Sequence, residues 1–293
     1  MVADFKSPFK ENYEAIDGVR IQYVDEGKGP VVLMFHGEPT WSYLYRKMIP
    51  VLVKAGYRCI APDLMGFGLS DKPEAESAYT LRRHIDLMSG LVARLDLEDV
   101  TIIGQDWGGP IGLGFGMENK ARVKSLIILN TLVGPMSLPL PFRLLFTHGA
   151  FSSFVIRRLD LMRKMAFSAG FHRKLPPEVK RMYRAPHPSA RDRAGVAVFP
   201  KLVPPGPGHP NHDYVSSIGE TLKSWNVPVL VMFSDKDIAF HIHDGEKIAA
   251  MVPNGRFRTI RDAGHFLQED AGEEIAEHAA KFLDEDVWST GKH

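Results

Sequence analysis

Along the 293-residue chain, stretches of nearly unbroken apolar positions alternate with stretches where apolar residues recur every three or four places. Short β-rich runs, most of them dominated by Val, Ile, Leu and Phe, stand at 21–24, 31–35, 58–61, 100–103, 123–129, 229–233 and 256–260. Helical spacing separates them at about 42–53, 80–95, 110–117, 244–251 and 273–283. The first pattern predicts strands and the second predicts amphipathic helices. Strands that are apolar at almost every position need cover on both faces. Their alternation with helices therefore predicts an α/β fold with a mostly parallel sheet between helical layers. There is no internal repeat.

The alternation stops between 131 and 217. This stretch holds 12 of the 21 prolines and 13 Lys and Arg against 4 Asp and Glu. It predicts a helical cap domain at 131–217, inserted into a discontinuous core at 1–130 and 218–293. Its positive charge reads as a solvated outer face, with steering of anions to a buried cavity as the alternative.

Composition narrows the class only slightly. A hydrophobic content of 44%, a charged content of 24% and a net charge of +1 are those of a globular protein. They give no reason to expect nucleic acid or a membrane surface as a partner. The single Cys59 excludes an internal disulfide and reads as a small core residue in a strand. The opening residues lack a basic-then-apolar signal pattern. No apolar run approaches the roughly 18–20 residues of a membrane span. The expectation is a soluble cytoplasmic protein; oligomeric state is not legible.

The chemistry concentrates where Val100-Thr101-Ile102-Ile103 runs into Gly104-Gln105-Asp106-Trp107-Gly108-Gly109. Strand, sharp turn and helix in that order form a nucleophile elbow, in which small neighbours let one side chain stand in a pocket. The elbow residue here is Asp106. A carboxylate can displace a leaving group from saturated carbon without a base, and the resulting alkyl ester then needs an activated water. His265, in Asp262-Ala263-Gly264-His265-Phe266 after the last strand, is the candidate base. Its orienting acid comes from Ser234-Asp235-Lys236-Asp237; both aspartates compete, and Asp237 has the better reach. The order nucleophile, acid, histidine is that of α/β-hydrolases. Backbone N–H groups of Trp107 and of Glu38, in His36-Gly37-Glu38-Pro39, are candidate donors to the ester oxyanion. The Trp107 indole, a donor with no acceptor, suits a departing halide or else simply packs in the core.

On these residues the chain resembles a haloalkane dehalogenase. The likeness covers nearly the whole length and is densest at His36–Arg46, Ala61–Pro73, Gln105–Gly109 and Ala263–Glu269. It implies an α/β-hydrolase fold with a helical cap. It also implies hydrolysis of a carbon–halogen bond to alcohol and halide through an alkyl-aspartate, with no cofactor and no metal. By matching motifs, Asp106 is the nucleophile, Asp237 the acid, His265 the base and Trp107 one halide donor. The implied partners are a small halogenated hydrocarbon, water and halide ion. The family takes its second halide donor from an Asn directly after His-Gly or from a Trp of the cap. Glu38 marks the subgroup with the cap donor, yet the four tryptophans, Trp41, Trp107, Trp225 and Trp288, all lie outside 131–217. Phe171 is the candidate for that place.

An epoxide hydrolase would share Asp106 and His265 but would need two tyrosines over the nucleophile, for which the cap offers Tyr183 and Tyr214. A fluoroacetate-type dehalogenase, or a hydrolase scaffold that only binds its ligand, are further alternatives. His241-x-His243-Asp244 reads as a surface loop before a helix rather than a metal site. The Gly-rich elbow lacks the Lys-Ser/Thr of a phosphate loop.

Overall fold

The computed structural model describes residues 7–136, 138–147 and 149–288. Eight strands make one sheet: β1 (Asn12–Ile16), β2 (Val19–Glu26), β3 (Val31–Phe35), β4 (Arg58–Pro62), β5 (Val100–Gln105), β6 (Val123–Leu129), β7 (Val229–Ser234) and β8 (Gly255–Ile260). Their order across the sheet is β1-β2-β4-β3-β5-β6-β7-β8. β2 runs antiparallel to both β1 and β4, and all other neighbours are parallel. In the core, helices α1 (Met48–Lys54), α2 (Leu81–Arg94) and α3 (Gly108–Glu118) precede β6. Between β6 and β7 come α4 (Leu140–Phe146), α5 (Gly149–Arg157), α6 (Leu161–Ala169), α7 (Pro177–Arg184), α8 (Ala194–Leu202) and α9 (His212–Ser224). Helices α10 (Ile242–Met251) and α11 (Leu267–Phe282) close the fold. No described helix is long and apolar enough to cross a membrane.

Successive side chains of a strand point to opposite faces, and the two hydrophobic clusters follow that rule. Leu33, Phe35, Ile102 and Ile128 pack with Ile85, Met88, Ile111 and Phe115 of α2 and α3. Val32, Met34, Ile103 and Ile127 pack with Ile49, Leu52, Ile275 and Ala279 of α1 and α11. Cys59 is fully buried in the second cluster, and burial pushes its thiol up to about 12. Trp225 packs in the first cluster, against Gly116 of α3.

Three elements depart from the sequence reading. Strand β1 was not expected, because Asn-Tyr-Glu-Ala-Ile interleaves polar residues with apolar ones and forms no unbroken apolar run. It is an edge strand held by a two-residue hairpin in which Ile16 pairs with Val19. Asp17 and Gly18 both take positive φ there, 46° and 77°, as such a hairpin turn requires. The helix expected at 42–53 is a 3-10 turn at Ser42–Tyr45 followed by α1. Helix α11 begins at Leu267 rather than 273; the polar Gln268, Glu269 and Asp270 break the apolar period, yet all three are buried.

Candidate active site

Loops from the carboxyl ends of β3, β5, β7 and β8 meet at one edge of the sheet, the edge where open parallel sheets bind ligands. Asp106 follows β5 directly and holds φ at +51°, a conformation that costs a non-glycine residue energy. Its backbone N–H donates to the Asn130 carbonyl at 2.9 Å, and its carbonyl accepts from Gly109 N–H at 3.0 Å and the Thr131 hydroxyl at 2.5 Å. The turn also needs room. A Cβ on Gly108 would run into the Phe35 carbonyl, and one on Gly37 would collide with the Asp106 side chain.

The other side chains converge on Asp106. The Glu38 N–H donates to Asp106 Oδ1 at 2.7 Å. His265 Nε2 lies 3.6 Å from Asp106 Oδ2. On its far side, His265 Nδ1 donates to Asp237 Oδ2 at 2.9 Å, and the Asp237 carboxylate is wholly buried. The second Asp237 oxygen accepts from the Ala239 N–H at 2.7 Å. Asp235 instead pairs with Lys236 at 2.9 Å. Burial alone would lower the imidazole's proton affinity, but the carboxylates of Asp237 and Asp106 outweigh it and raise His265 to about 10. The Phe240 ring stacks on the imidazole with centroids 5.7 Å apart.

The Glu38 loop is fixed by His36. The Leu64 N–H donates to His36 Nε2 at 3.0 Å and Nδ1 faces the Gly37 carbonyl at 3.0 Å. Burial lowers His36 to about 4, so the ring stays neutral and this pattern holds at working pH. Burial, reinforced by the charge of Asp106 and opposed by His265, pushes the Glu38 carboxyl well above the usual range. Glu38 Oε1 is buried without a hydrogen-bond partner.

In front of these residues lies a cavity of about 820 Å³. Glu38, Asp106, Trp107 and His265 line it together with Leu132, Val133, Met162, Phe240 and Phe266. The side chains that the segment from 131 to 203 contributes to the wall are apolar, except for Thr131, whose hydroxyl is already bound to the Asp106 carbonyl. Trp107 is 3% exposed, with its ring edge-on to Phe199 at 5.4 Å. His241 and His243 are exposed, stack on each other at the start of α10 and also border the cavity. Among the described residues no group of three or more His, Cys, Asp or Glu could hold a metal.

Some expectations require correction. Phe171 does not line the cavity; its ring packs against Phe167, Tyr183 and Phe266, with centroids 4.8 Å apart for the last pair. The cap tyrosines do not meet above Asp106. The Tyr183 hydroxyl donates to Glu269 at 2.7 Å and the Tyr214 hydroxyl donates to Glu118 at 2.6 Å. Sequence reasoning also missed Gln105, Asn130 and Asp270. Gln105 Nε2 donates to the His265 carbonyl at 3.2 Å and lies 3.3 Å from Nε2 of its ring. Asn130 Nδ2 donates to Ser234 Oγ at 2.6 Å and to the Gly264 carbonyl at 3.2 Å. Polar residues at the carboxyl ends of otherwise apolar strands were the available signal for the first two.

An elbow-borne acid facing a histidine–aspartate pair across a parallel sheet edge defines an α/β-hydrolase with a carboxylate at the nucleophile position. Residues 30–272 match the α/β hydrolase fold family. A haloalkane dehalogenase from Psychrobacter cryohalolentis is 38% identical over 90% of this chain and 88% of its own length. A cis-3-alkyl-4-alkyloxetan-2-one decarboxylase from Shewanella oneidensis is 33% identical, over 95% of this chain and 89% of its own. Among solved structures, the haloalkane dehalogenase from Paraglaciecola agarilytica superposes with a TM-score of 0.79 at 31% identity, covering 92% of both chains. The chain belongs to the haloalkane dehalogenase family.

Proposed function

We propose that this protein hydrolyses small haloalkanes to alcohol and halide through an ester on Asp106. The reading rests on one observation above all: a carboxylate with Oδ1 bound by the Glu38 N–H and Oδ2 facing His265, in the wall of a mostly apolar cavity. An Asp106 oxygen attacks the carbon bearing the halogen; the C–O bond forms as the C–X bond breaks, and halide leaves with the bonding pair. The Trp107 indole N–H faces the leaving group. His265 then takes a proton from water, and the hydroxide adds to the ester carbonyl. The Glu38 and Trp107 backbone N–H groups hold the oxyanion. Collapse expels the alkoxide, which recovers the proton from His265, and leaves Asp106 as a carboxylic acid carrying one water oxygen; that acid then releases to solvent the proton that accompanies the halide. Asp237 keeps the imidazole oriented and stabilises its charged form.

The helical insertion at 131–217 acts as the cap of this site over the core at 1–130 and 218–293, and the protein works in the cytoplasm. Glu269 and Glu118 engage the two cap tyrosines, so epoxide opening is not the favoured reaction. The Shewanella relative's name specifies a four-membered lactone ring carrying two alkyl groups. A cavity of about 820 Å³ has room for such a ring, which makes it the second candidate substrate.

Incubation with 1-bromobutane, 1-chlorobutane, 1,2-epoxybutane and a dialkyl β-lactone tests the assignment. The expected result is bromide and chloride release with little diol or alkene. His265→Phe should free one bromide per site and leave a butyl ester on Asp106, read by mass spectrometry. Diol or alkene as the main product, without halide release, would reverse the assignment.

A further inference from the structure

His241-x-His243-Asp244 takes no part in the chemistry at Asp106, yet it borders the same cavity. Lys247, Ile248 and Met251 border it too. Steps of three, four and seven residues from Asp244 put all of them on one face of α10. That face is polar toward the start of the helix and apolar beyond. Exposure divides the wall in the same way. Trp107 is 3% exposed and the Asp106 and His265 side chains 16% and 12%, whereas His241, His243 and Lys247 stand in solvent. Charge at this solvated rim is unbalanced. Asp244 is engaged at the start of α10, where one carboxylate oxygen accepts from the His241 N–H at 3.0 Å and the other lies 3.1 Å from His243 Nε2. The Lys247 ammonium makes no hydrogen bond and no ion pair among the described residues.

We propose that Lys247 selects substrates with an anionic far end: a halogenated alkyl chain whose terminal carboxylate rests at this rim while the carbon bearing the halogen meets Asp106. This rests on the dehalogenase reading above and names a substrate class for it, the ω-halogenated carboxylates of medium chain length. A carboxylate loses much when it is taken out of water; at the exposed rim it stays hydrated and gains a cation. Beside Asp106 the same group would meet a second negative charge, so it must be held away from the reacting carbon. The alkyl chain that separates the two ends suits the apolar wall, to which Leu138, Phe142, Ile248 and Met251 belong. The 13 Lys and Arg against 4 Asp and Glu at 131–217 add a longer-range attraction for the same anion.

The test compares kcat/KM for 8-bromooctanoate with that for 8-bromooctan-1-ol, an uncharged molecule of the same length, both read by bromide release. The wild-type protein favours the acid, and the acid-to-alcohol ratio falls as salt is added. Lys247→Met lowers that ratio about fivefold, the scale of one exposed ion pair. Lys247→Glu lowers it further, and Lys247→Arg keeps it. The change lies in KM rather than kcat, because a contact far from the reacting carbon holds ground state and transition state alike. Bromoacetate, too short to reach the rim, is turned over more slowly than 8-bromooctanoate. The same ratio in the wild type, Lys247→Met and Lys247→Glu, or faster turnover of bromoacetate than of 8-bromooctanoate, would overturn the proposal and leave the dehalogenase reading in place. If the wild-type protein frees bromide from none of these compounds nor from 1-bromobutane, that reading falls, and this proposal with it.

Discussion

At His265, loss of solvent and the pull of two carboxylates act in opposite directions, and the carboxylates prevail, raising the imidazole to about 10. The free enzyme therefore holds a charged histidine between Asp237 and Asp106. In the proposed mechanism, esterification would remove the Asp106 charge, and with it part of what holds the proton, so the ring would become a competent base only once there is an ester to hydrolyse. NMR titration should place His265 near 10 in the wild-type protein and lower in Asp106→Asn, which mimics the uncharged ester; an unshifted value in that variant contradicts the account. The linked stability has a definite sign. A folded value above the unfolded one, near 6.5, gives stabilisation that is complete below about 6.5 and is lost as pH rises toward about 10. Single letters with unusual chemistry were legible in the sequence: an acid at an elbow, a histidine after Ala-Gly, a tryptophan beside the acid. The protonation state of Glu38 was not, because it depends on burial and on a neighbour 68 positions away. Phe171 misled because an aromatic side chain lines a cavity or fills a cluster according to tertiary neighbours that the local sequence does not specify.

At the scale of elements, the loop carrying His265 is tied to the insertion through Asp270 near the start of α11. Asp270 Oδ2 accepts from the N–H of Gly264 and of His172, both at 2.9 Å, and Oδ1 from that of Arg173 at 3.0 Å. The Phe266 N–H adds a bond to the Gly170 carbonyl at 3.0 Å. Asp270→Ala would strand one buried backbone donor, that of Gly264, and two part-buried ones, those of His172 and Arg173, at a cost of about 2–4 kcal/mol, and would loosen the loop carrying His265 as well. Urea unfolding together with kcat should show both losses, with Asp270→Asn milder in each. A stability change under about 0.5 kcal/mol, the range of an ordinary surface substitution, would mean that the clamp is not structural. The strand series was legible because buried parallel strands carry their signal at every position. Edge strand β1 and the first turn of α11 were not: one is half solvated, and the other buries polar groups whose partners lie on distant segments.

For the whole molecule, a sheet packed on both faces holds four loops in fixed register, so that residues 38, 106, 237 and 265 meet despite their separation in the chain. The helices between β6 and β7 contribute a mostly apolar wall to the cavity at that edge. The break in alternation at 131–217 falls where six helices separate β6 from β7, whereas the cavity's shape depends on side-chain packing no local pattern encodes. The central claim concerns which oxygen reaches the substrate carbon. A single turnover with excess enzyme in heavy-oxygen water tests it most directly. The account predicts butanol carrying ordinary oxygen and one heavy oxygen on the Asp106 carboxyl, found by peptide mass spectrometry. Heavy oxygen in the alcohol, with none in the protein, would contradict it.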